Sequence, residues 1–385
     1  MTIFETPQPD LEDHPVIEQI HEMRSALSGY VRVPQRWTGT LRRSSTARAI
    51  QSSNSIEGYD ITDQDALAAV DDEEPLTTDQ RTWAEITGYR RALTYVLQMT
   101  VDREFRLDVQ TLRSLHFMLL EHDHSKSPGR FRSGQVFVYD ESRGEVAYEG
   151  PDAERVPELV EELVAACRAS VDVDPLVRAA MAHLNLVMIH PFRDGNGRMA
   201  RVLQTLMLAQ DTILEPTFSS IEEWLGHNTD DYYRALAHTG QGSWHPENDA
   251  SLWVKFNLRA HHMQAQTLQR RFAEAEVLWR HIDDLVAAHR LPERVGDAVF
   301  DALIGARVQR PSYMKRADVE GRTATRDLVR LSELGILDPV GKTRARYYLA
   351  GPVLREVSAD LASRRHPLAD PYPWLRATLA APREP

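Results

Sequence analysis

Apolar side chains recur at helical spacing along most of the chain. They do so over residues 16–101 and again from about residue 107, where Leu112, Leu115 and Leu119 would share one helix face. Residues 176–189 are apolar on most sides, which is typical of a buried helix, and proline at 191 should end that helix at His190. Further helices are predicted at 157–169, 198–209, 232–237 and 252–281.

One segment has the pattern of strands instead. Glycines flank two short apolar runs, 136–139 and 146–148, and the polar sequence DESRG separates them, which predicts a β-hairpin. We therefore expect a mainly α fold with one hairpin and a distinct C-terminal segment.

Composition narrows the class of protein. The 385 residues are 42% hydrophobic and 26% charged, as in globular proteins of two or three domains. Cys167 is the single cysteine, which excludes an internal disulfide. No apolar run approaches the ~20 residues of a membrane-spanning helix, and no secretory signal opens the sequence, so we expect a cytoplasmic protein without membrane contact. The net charge of −12 argues against a surface that coats nucleic acid but allows a local cationic site.

These patterns divide the chain into six segments. They are a loose arm (1–15), an N-terminal helical region (16–106), a central core (107–240), a helical extension (241–290), a small C-terminal domain (291–350) and a tail (351–385).

The stretch HPFRDGNGRMAR, residues 190–201, combines groups that suit phosphate chemistry. Gly195 and Gly197 let the backbone approach a ligand closely, and a helix that begins beside them points free N–H groups at the loop, which makes an anion site. Arg198 and Arg201 project from one face of the first turn and extend the positive field.

Two further groups in this stretch add chemistry. Asp194 would suit a Mg²⁺ ion held by one carboxylate and phosphate oxygens, and His190 can take a proton near neutral pH. From spacing alone, a glycine-rich turn with a capping aspartate and surface arginines stays open as the alternative.

The stretch resembles the signature of the Fic family, HPFx(D/E)GNGRxxR, and matches it at every fixed position. The resemblance extends to the sequences LRSLHFMLL, PGRFRSGQVFVYD and NTDDYYRAL, and so covers roughly residues 107–240. It implies a helical Fic core and transfer of AMP from ATP to a Ser, Thr or Tyr hydroxyl of a target protein.

The resemblance also implies a role for each residue of the loop. His190 would deprotonate the incoming hydroxyl, which attacks the α-phosphate as pyrophosphate leaves. Asp194 would hold Mg²⁺ between the α- and β-phosphates. The nucleotide-binding residues would be Gly195, Asn196 and Gly197 around the phosphates, Arg198 at the β/γ-phosphates, Arg201 at the γ-phosphate, and Tyr232 or Tyr233 beside adenine.

The hairpin would be the flap that aligns the target protein. Main-chain groups of Val136, Phe137 and Val138 would pair with the target segment as an added strand. Without the resemblance, a purely structural hairpin would be the preferred interpretation.

The sequence SNSIEG, far upstream, resembles the inhibitory motif (S/T)xxxE(G/N) of the family. Ser53, Glu57 and Gly58 would form it, and Glu57 would pair with Arg201 and displace the γ-phosphate from its productive position. The alternative, a helix end capped by Gly58, is compatible with this role.

The C-terminal domain resembles a winged helix-turn-helix. It has an amphipathic helix at 322–334 and two short strands around a turn at 339–343, and residues 307–346 contain ten Arg or Lys against five Asp or Glu. Arg322, Thr325 and Arg326 could face DNA, although packing on a protein surface is as good an interpretation. The sequence Gly341-Lys342-Thr343 is not a P-loop, because the preceding glycine lies one position too far away.

We therefore expect an auto-inhibited protein adenylyltransferase that uses ATP and Mg²⁺. The alternatives are a nucleotide-sensing DNA-binding regulator, a Fic-type transferase of another phosphate-containing group, and an enzyme that also removes AMP. The target protein and any homo-oligomer stay open.

Overall fold

The structure, a computed structural model, describes residues 2–33, 35–102, 104–140, 144–169, 172–210, 214–342 and 346–381. The middle of the predicted hairpin turn (141–143), the end of the predicted C-terminal turn (Thr343) and the end of the predicted tail (382–385) lie outside the described residues.

The described chain is mainly α-helical, with two small antiparallel sheets, which confirms the predicted fold class. The helices are α1 (Asp13–Arg32), α2 (Thr38–Ser55), α3 (Asp63–Asp71), α4 (Gln80–Met99), α5 (Val109–Leu120), α6 (Val156–Ala169), α7 (Pro175–Ile189), α8 (Asn196–Ala209), α9 (Pro216–Ser219), α10 (Glu222–His227), α11 (Thr229–Gly240), α12 (Ser251–His289), α13 (Gly296–Leu303), α14 (Arg310–Ala317), α15 (Gly321–Glu333), α16 (Pro352–Ser363) and α17 (Leu375–Ala380). The strands are β1 (Phe137–Asp140), β2 (Glu145–Glu149), β3 (Val308–Gln309), β4 (Leu337–Val340) and β5 (Tyr347–Ala350). Single 3₁₀ turns occur at His124–Lys126, Ala153–Arg155 and Glu293–Val295.

The chain forms two compact units. Unit 1 comprises residues 1–29, 45–266 and 369–385, and unit 2 comprises residues 30–44 and 267–368. Among the described helices, none is both long enough and apolar enough to cross a membrane.

Helices α7 and α8 pack together in the core of unit 1. Helix α7 begins at Pro175, where Asp174 caps the first turn by accepting a hydrogen bond from the N–H of Leu176. It ends at His190, whose backbone is left-handed (φ 49°) ahead of Pro191. Nearly all side chains between these ends are buried, as the apolar pattern predicts. The loop that follows is therefore held between two buried helices.

Described residues near both ends of unit 1 are packed into its core, including residues of the segment 1–15 that we predicted to be a loose arm. Phe4 is 2% exposed, and its N–H donates to Asn185 Oδ1. Near the other end, Tyr372 is fully buried and donates to Asp13 Oδ1, and α17 packs against α11. The tail also contributes α16 to unit 2.

Strands β1 and β2 form the predicted hairpin. They pair antiparallel, with a register shift between Val138 and Tyr139. Among the described residues no strand pairs with the outer edge of β1.

Unit 2 contains α13 to α16 and a three-stranded antiparallel sheet of order β3-β5-β4. Its sequence of elements is helix, strand, helix, helix, strand and strand, followed by α16. The two-residue strand β3 is absent from the sequence prediction. Asp327 accepts hydrogen bonds from both Arg294 and Tyr313 and so fixes the inner face of α15.

Candidate active site

The loop between α7 and α8 is shaped by its own side chains. The amide of Asn196 brackets Phe192: its Oδ1 accepts from the Phe192 N–H and its Nδ2 donates to the Phe192 carbonyl, both at 2.9 Å. Gly195, at φ 75°, makes the left-handed turn into α8, which disfavours other residues. The Asn196 side chain is thus fully engaged in the loop, and backbone groups and arginines remain to meet a ligand.

His190 is oriented as a proton acceptor. Its Nδ1 lies 3.1 Å from the carbonyl of Val187 and must carry a hydrogen to donate there, which leaves the lone pair on Nε2. Burial lowers the pKa of His190, so the neutral form predominates near neutral pH. A neutral imidazole with a free Nε2 is the form that a general base requires.

Arg132 joins the loop between α7 and α8 to the base of the hairpin. It is 9% exposed and donates to the carbonyls of His190 (2.8 Å), Gly134 (2.8 Å) and Pro151 (2.5 Å). Gly150 lies beside these contacts, and a Cβ there would come within 2.7 Å of a Val136 methyl. The close approach of the hairpin to His190 therefore requires glycine.

His116 supports the loop from α5. Its ring stacks on Phe192 at 3.7 Å, Nε2 donates to the Asp194 carbonyl, and Nδ1 accepts from the Gly129 N–H. Burial lowers its pKa to about 4, so this bridge stays neutral and keeps both hydrogen bonds at physiological pH.

Arg201 binds two residues of the upstream sequence SNSIEG, Ser53 and Glu57. It is 1% exposed, and it donates from Nε to Ser53 Oγ (2.7 Å) and from Nη2 to the Ser53 carbonyl (2.8 Å). The same Nη2 donates to Glu57 Oε1 at 2.7 Å. Gly58, at φ 79°, ends the turn after α2 and lets the chain leave in another direction.

The Glu57 carboxylate lies against the first turn of α8. A Cβ added to Gly197 would overlap Glu57 Oε1, so the carboxylate rests directly on the glycine backbone. Helix N-termini favour negative charge at this place. The protein therefore presents its own carboxylate where the sequence predicts a phosphate.

Arg198 is paired with a carboxylate that sequence reasoning misses. Its Nη1 lies 2.5 Å from Glu85 Oε2, both side chains are 1% exposed, and the guanidinium sits 5.3 Å from the ring centre of Tyr59. Burial would raise the pKa of Glu85, but Arg198 and Lys126 outweigh it and lower the pKa to about 2. Arg198 Nε is buried and has no hydrogen-bond partner among the described residues, so it is a donor that a phosphate oxygen could use.

Asp194 also has an unforeseen partner. Lys126 Nζ lies 2.7 Å from Asp194 Oδ2 and 2.7 Å from Glu85 Oε1. Burial raises the pKa of Asp194, Lys126 lowers it by more, and the net direction is down, so the carboxylate is ionised.

The residues present fit a Mg²⁺ ion bound together with phosphate. Asp194 is an ionised, 40% exposed carboxylate, and Mg²⁺ commonly takes one or two carboxylates with phosphate oxygens and waters. The described residues contain no group of three or more His, Cys, Asp or Glu side chains that could hold a metal by themselves. A metal here would consequently depend on ligands from the nucleotide.

The two tyrosines proposed beside adenine differ in position. Tyr232 is 1% exposed, donates to or accepts from His183 Nε2, and packs against Trp253, so it is a core residue and this part of the prediction is corrected. Tyr233 is 47% exposed and donates to the carbonyl of Ile56 beside Glu57. Only Tyr233 remains available to a nucleotide base.

The three residues proposed to align a target lie in or beside β1, near the loop between α7 and α8. Phe137 and Val138 are in β1, and Val136 precedes it, its carbonyl accepting from the Gly150 N–H. Phe137 and Tyr139 are 42% and 62% exposed. An unpaired strand edge with apolar side chains is able to receive an extended peptide.

A buried chain of polar groups lies behind Arg201. The Tyr89 hydroxyl donates to Glu222 Oε1 at 2.5 Å, and Ser53 is hydrogen-bonded to Tyr89 as well as to Arg201. Burial raises the pKa of Glu222 to about 7. In the sequence these residues stand out only as polar side chains on otherwise apolar helix faces. That pattern does not identify their hydrogen-bond partners.

The segment that contains the loop between α7 and α8 is similar to a known protein family. Residues 106–208 match the model of the Fic/DOC family. This part of the chain is therefore similar to Fic/DOC domains, in agreement with its resemblance to the signature.

Similar proteins extend the comparison. Over 133 residues the chain is 33% identical to the protein adenylyltransferase Fic of Nematostella vectensis, and the match covers 32% of this chain and 28% of that protein. The chain thus spans less than a third of the length of that relative. A crystal structure of a Fic family protein from Desulfovibrio desulfuricans has a TM-score of 0.58 and 22% identity, and covers 90% of this chain and 98% of that one. Fic-1 of Caenorhabditis elegans has a TM-score of 0.53, 22% identity and coverage of 69% and 73%. At these identities, the two structures support the fold alone.

Proposed function

We propose that this chain is an auto-inhibited protein adenylyltransferase, which transfers AMP from ATP to a hydroxyl side chain of a protein. One observation carries the proposal: a neutral His190 with a free Nε2 stands beside a helix N-terminus that has two buried arginines and an anion already seated on it. The relatives named protein adenylyltransferase support the same activity.

In the proposed reaction, His190 Nε2 takes the proton of the target hydroxyl as its oxygen attacks the α-phosphorus. A new P–O bond to the target forms, the bond from the α-phosphorus to the bridging oxygen breaks, and pyrophosphate leaves with that electron pair. The contact of Nδ1 with the Val187 carbonyl keeps the basic lone pair on the reacting side of the ring.

The phosphates would replace Glu57 at the start of α8. The N–H groups there, Arg198 Nε and the Arg201 guanidinium supply donors in a buried place, where charge developing in the transition state is stabilised most strongly. Asp194 would hold a Mg²⁺ ion, whose charge would offset that of the phosphates.

Glu57 would inhibit by competition. A γ-phosphate and the Glu57 carboxylate both require Arg201, and the observed contact at 2.7 Å supports the carboxylate as the resting partner. With Arg201 occupied, ATP would bind with its α-phosphate out of line with the attacking hydroxyl.

The target segment would lie along β1. Its backbone would add to the free edge of the hairpin, and Arg132 would keep that edge at a fixed distance from His190. Recognition through backbone groups orients an extended segment without fixing its sequence.

Labelled nucleotides test the activity. Glu57→Gly protein, incubated with Mg²⁺ and a protein extract, should transfer label to protein from α-labelled ATP and not from γ-labelled ATP. Adding His190→Ala to the same protein should abolish transfer. Absence of α-label transfer by Glu57→Gly across ATP, GTP, CTP and UTP would refute the proposal, whereas transfer from another nucleotide would favour the alternative donor. Release of AMP from purified labelled target would identify the reverse hydrolysis.

A second function is favoured by unit 2. We propose that it is a winged helix-turn-helix that binds DNA, because its order of elements is the order of that fold and α15 exposes Arg322, Thr325 and Arg326 on one face. A salt-dependent gel shift with duplex DNA should be lost in Arg322→Ala/Arg326→Ala. No shift with the wild type would favour a protein-docking role, and a shift that survives this double substitution would contradict the assignment of Arg322 and Arg326 to the DNA contact.

A further inference from the structure

Four charged side chains alternate in sign across the candidate active site. They run from Arg198 to Glu85 (2.5 Å), from Glu85 to Lys126 (2.7 Å) and from Lys126 to Asp194 (2.7 Å). Arg198 and Glu85 are 1% exposed, Lys126 is 14% exposed and Asp194 is 40% exposed. The row of charged side chains therefore begins at a buried pair, Arg198 and Glu85, and ends at Asp194, which is exposed to solvent.

Lys126 occupies the place at which a metal would bind. Asp194 Oδ1 already accepts the Gly195 N–H at 2.6 Å, so Oδ2 is the oxygen that is free of the loop backbone, and Lys126 holds it. A Mg²⁺ ion on Oδ2 would stand about 2 Å from that oxygen and would face the ammonium group at close range. Two cations cannot share this oxygen without strong repulsion.

Lys126 could move away from Asp194 without leaving the Glu85 carboxylate unpaired. It lies in the single 3₁₀ turn His124–Lys126, which joins α5 to the segment before the flap, and its ammonium is also bonded to Glu85. Glu85 is also paired with Arg198, through its other carboxylate oxygen. Separating Lys126 from Asp194 consequently breaks an ion pair that is partly exposed to solvent. The buried pair of Arg198 and Glu85 is kept.

We propose that Lys126 keeps free divalent metal off Asp194, so that the metal enters the site only together with nucleotide phosphates. The triphosphate brings additional oxygens to the metal and offsets its charge, which a lone aquated ion cannot do. The proposal rests on the proposed function only in taking Asp194 as the metal-binding carboxylate.

Metal binding to the nucleotide-free protein tests this directly. Mn²⁺, which competes with Mg²⁺, is titrated by electron paramagnetic resonance into wild type, Lys126→Met and Lys126→Arg. We expect Lys126→Met to bind Mn²⁺ at least tenfold more tightly than wild type, Lys126→Arg to resemble wild type, and Lys126→Met/Asp194→Asn to lose the gain. Lys315→Met, which removes an exposed charge in unit 2, should resemble wild type.

Equal Mn²⁺ affinity in Lys126→Met and wild type, with circular dichroism showing both proteins folded, would overturn the proposal. If Lys126→Met does not fold, Lys126→Gln replaces it in the same titration. These measurements use no nucleotide and no turnover. The Mn²⁺ titration can therefore be interpreted even if no AMP transfer is found. Likewise, equal Mn²⁺ affinities would not bear on the transfer assay.

Discussion

The buried carboxyl of Glu222 should make the stability of unit 1 depend on pH. Glu222 is 2% exposed, and its Oε1 accepts the Tyr89 hydroxyl at 2.5 Å. Burial raises its pKa from 4.5 to about 7. Because the folded-state pKa lies above the unfolded value, the folded protein holds the proton more tightly, and this stabilisation is complete below about pH 4.5 and is lost as the pH rises through 7.

The magnitude follows from the size of that pKa shift. A shift from 4.5 to about 7 corresponds to about 3 kcal/mol between low pH and pH 8. Glu222→Gln keeps the shape and an acceptor for Tyr89 but cannot ionise. We expect the variant to match wild type near pH 4.5 and to exceed its free energy of unfolding by up to about 3 kcal/mol at pH 8.

Urea unfolding, followed by circular dichroism at a series of pH values, measures this difference. Glu154→Gln, at an exposed position, is the matched control and should follow wild type at every pH. Infrared spectra of wild type minus Glu222→Gln should contain the carbonyl band of a protonated acid that fades near pH 7. Parallel stability curves for wild type and Glu222→Gln, or no such band at pH 5, would refute the reasoning.

Three further predictions concern the site. Glu57→Gly should raise the rate of AMP transfer by about 30- to 150-fold, since a charge-assisted hydrogen bond of about 2 to 3 kcal/mol is removed, and Glu74→Gly, at an exposed position, should not change it in initial-rate assays. Arg132→Met leaves buried carbonyls unpaired, so chemical denaturation should show a loss of about 2 to 4 kcal/mol, and an unchanged stability would contradict the contacts described. Asn196→Ala removes both hydrogen bonds to Phe192, and calorimetry should find weaker ATP binding; undiminished affinity would mean that the loop holds its shape without them.

Local patterns in the sequence predict the frame of the site. The buried helix before His190, the glycine turn and the helix with Arg198 and Arg201 all follow from spacing within a few residues, and the structure has them at those positions. The family signature adds expectations for roles, and those remain predictions. The pairing partner of Arg201 is likewise anticipated only through the resemblance, because 144 residues separate it from Glu57.

The partners that sequence reasoning misses are distant along the chain. Glu85 contacts Arg198 across 113 residues, and Glu222 contacts Tyr89 across 133. A buried carboxylate on a helix has no spacing signature for its partner, so only the packing of helices identifies it. The burial of Phe4 and of Tyr372 escapes prediction for the same reason: their partners, Asn185 and Asp13, lie far away along the chain.

The central claim is that Glu57 and the γ-phosphate compete for Arg201, and nucleotide affinities test it most directly. In a His190→Ala background, which prevents turnover, calorimetry compares ATP and ADP for proteins with and without Glu57→Gly. We predict that Glu57→Gly tightens ATP binding by at least tenfold and ADP binding by much less, because only ATP has a γ-phosphate to place on Arg201. Equal gains for ATP and ADP, or none for either, would contradict the account.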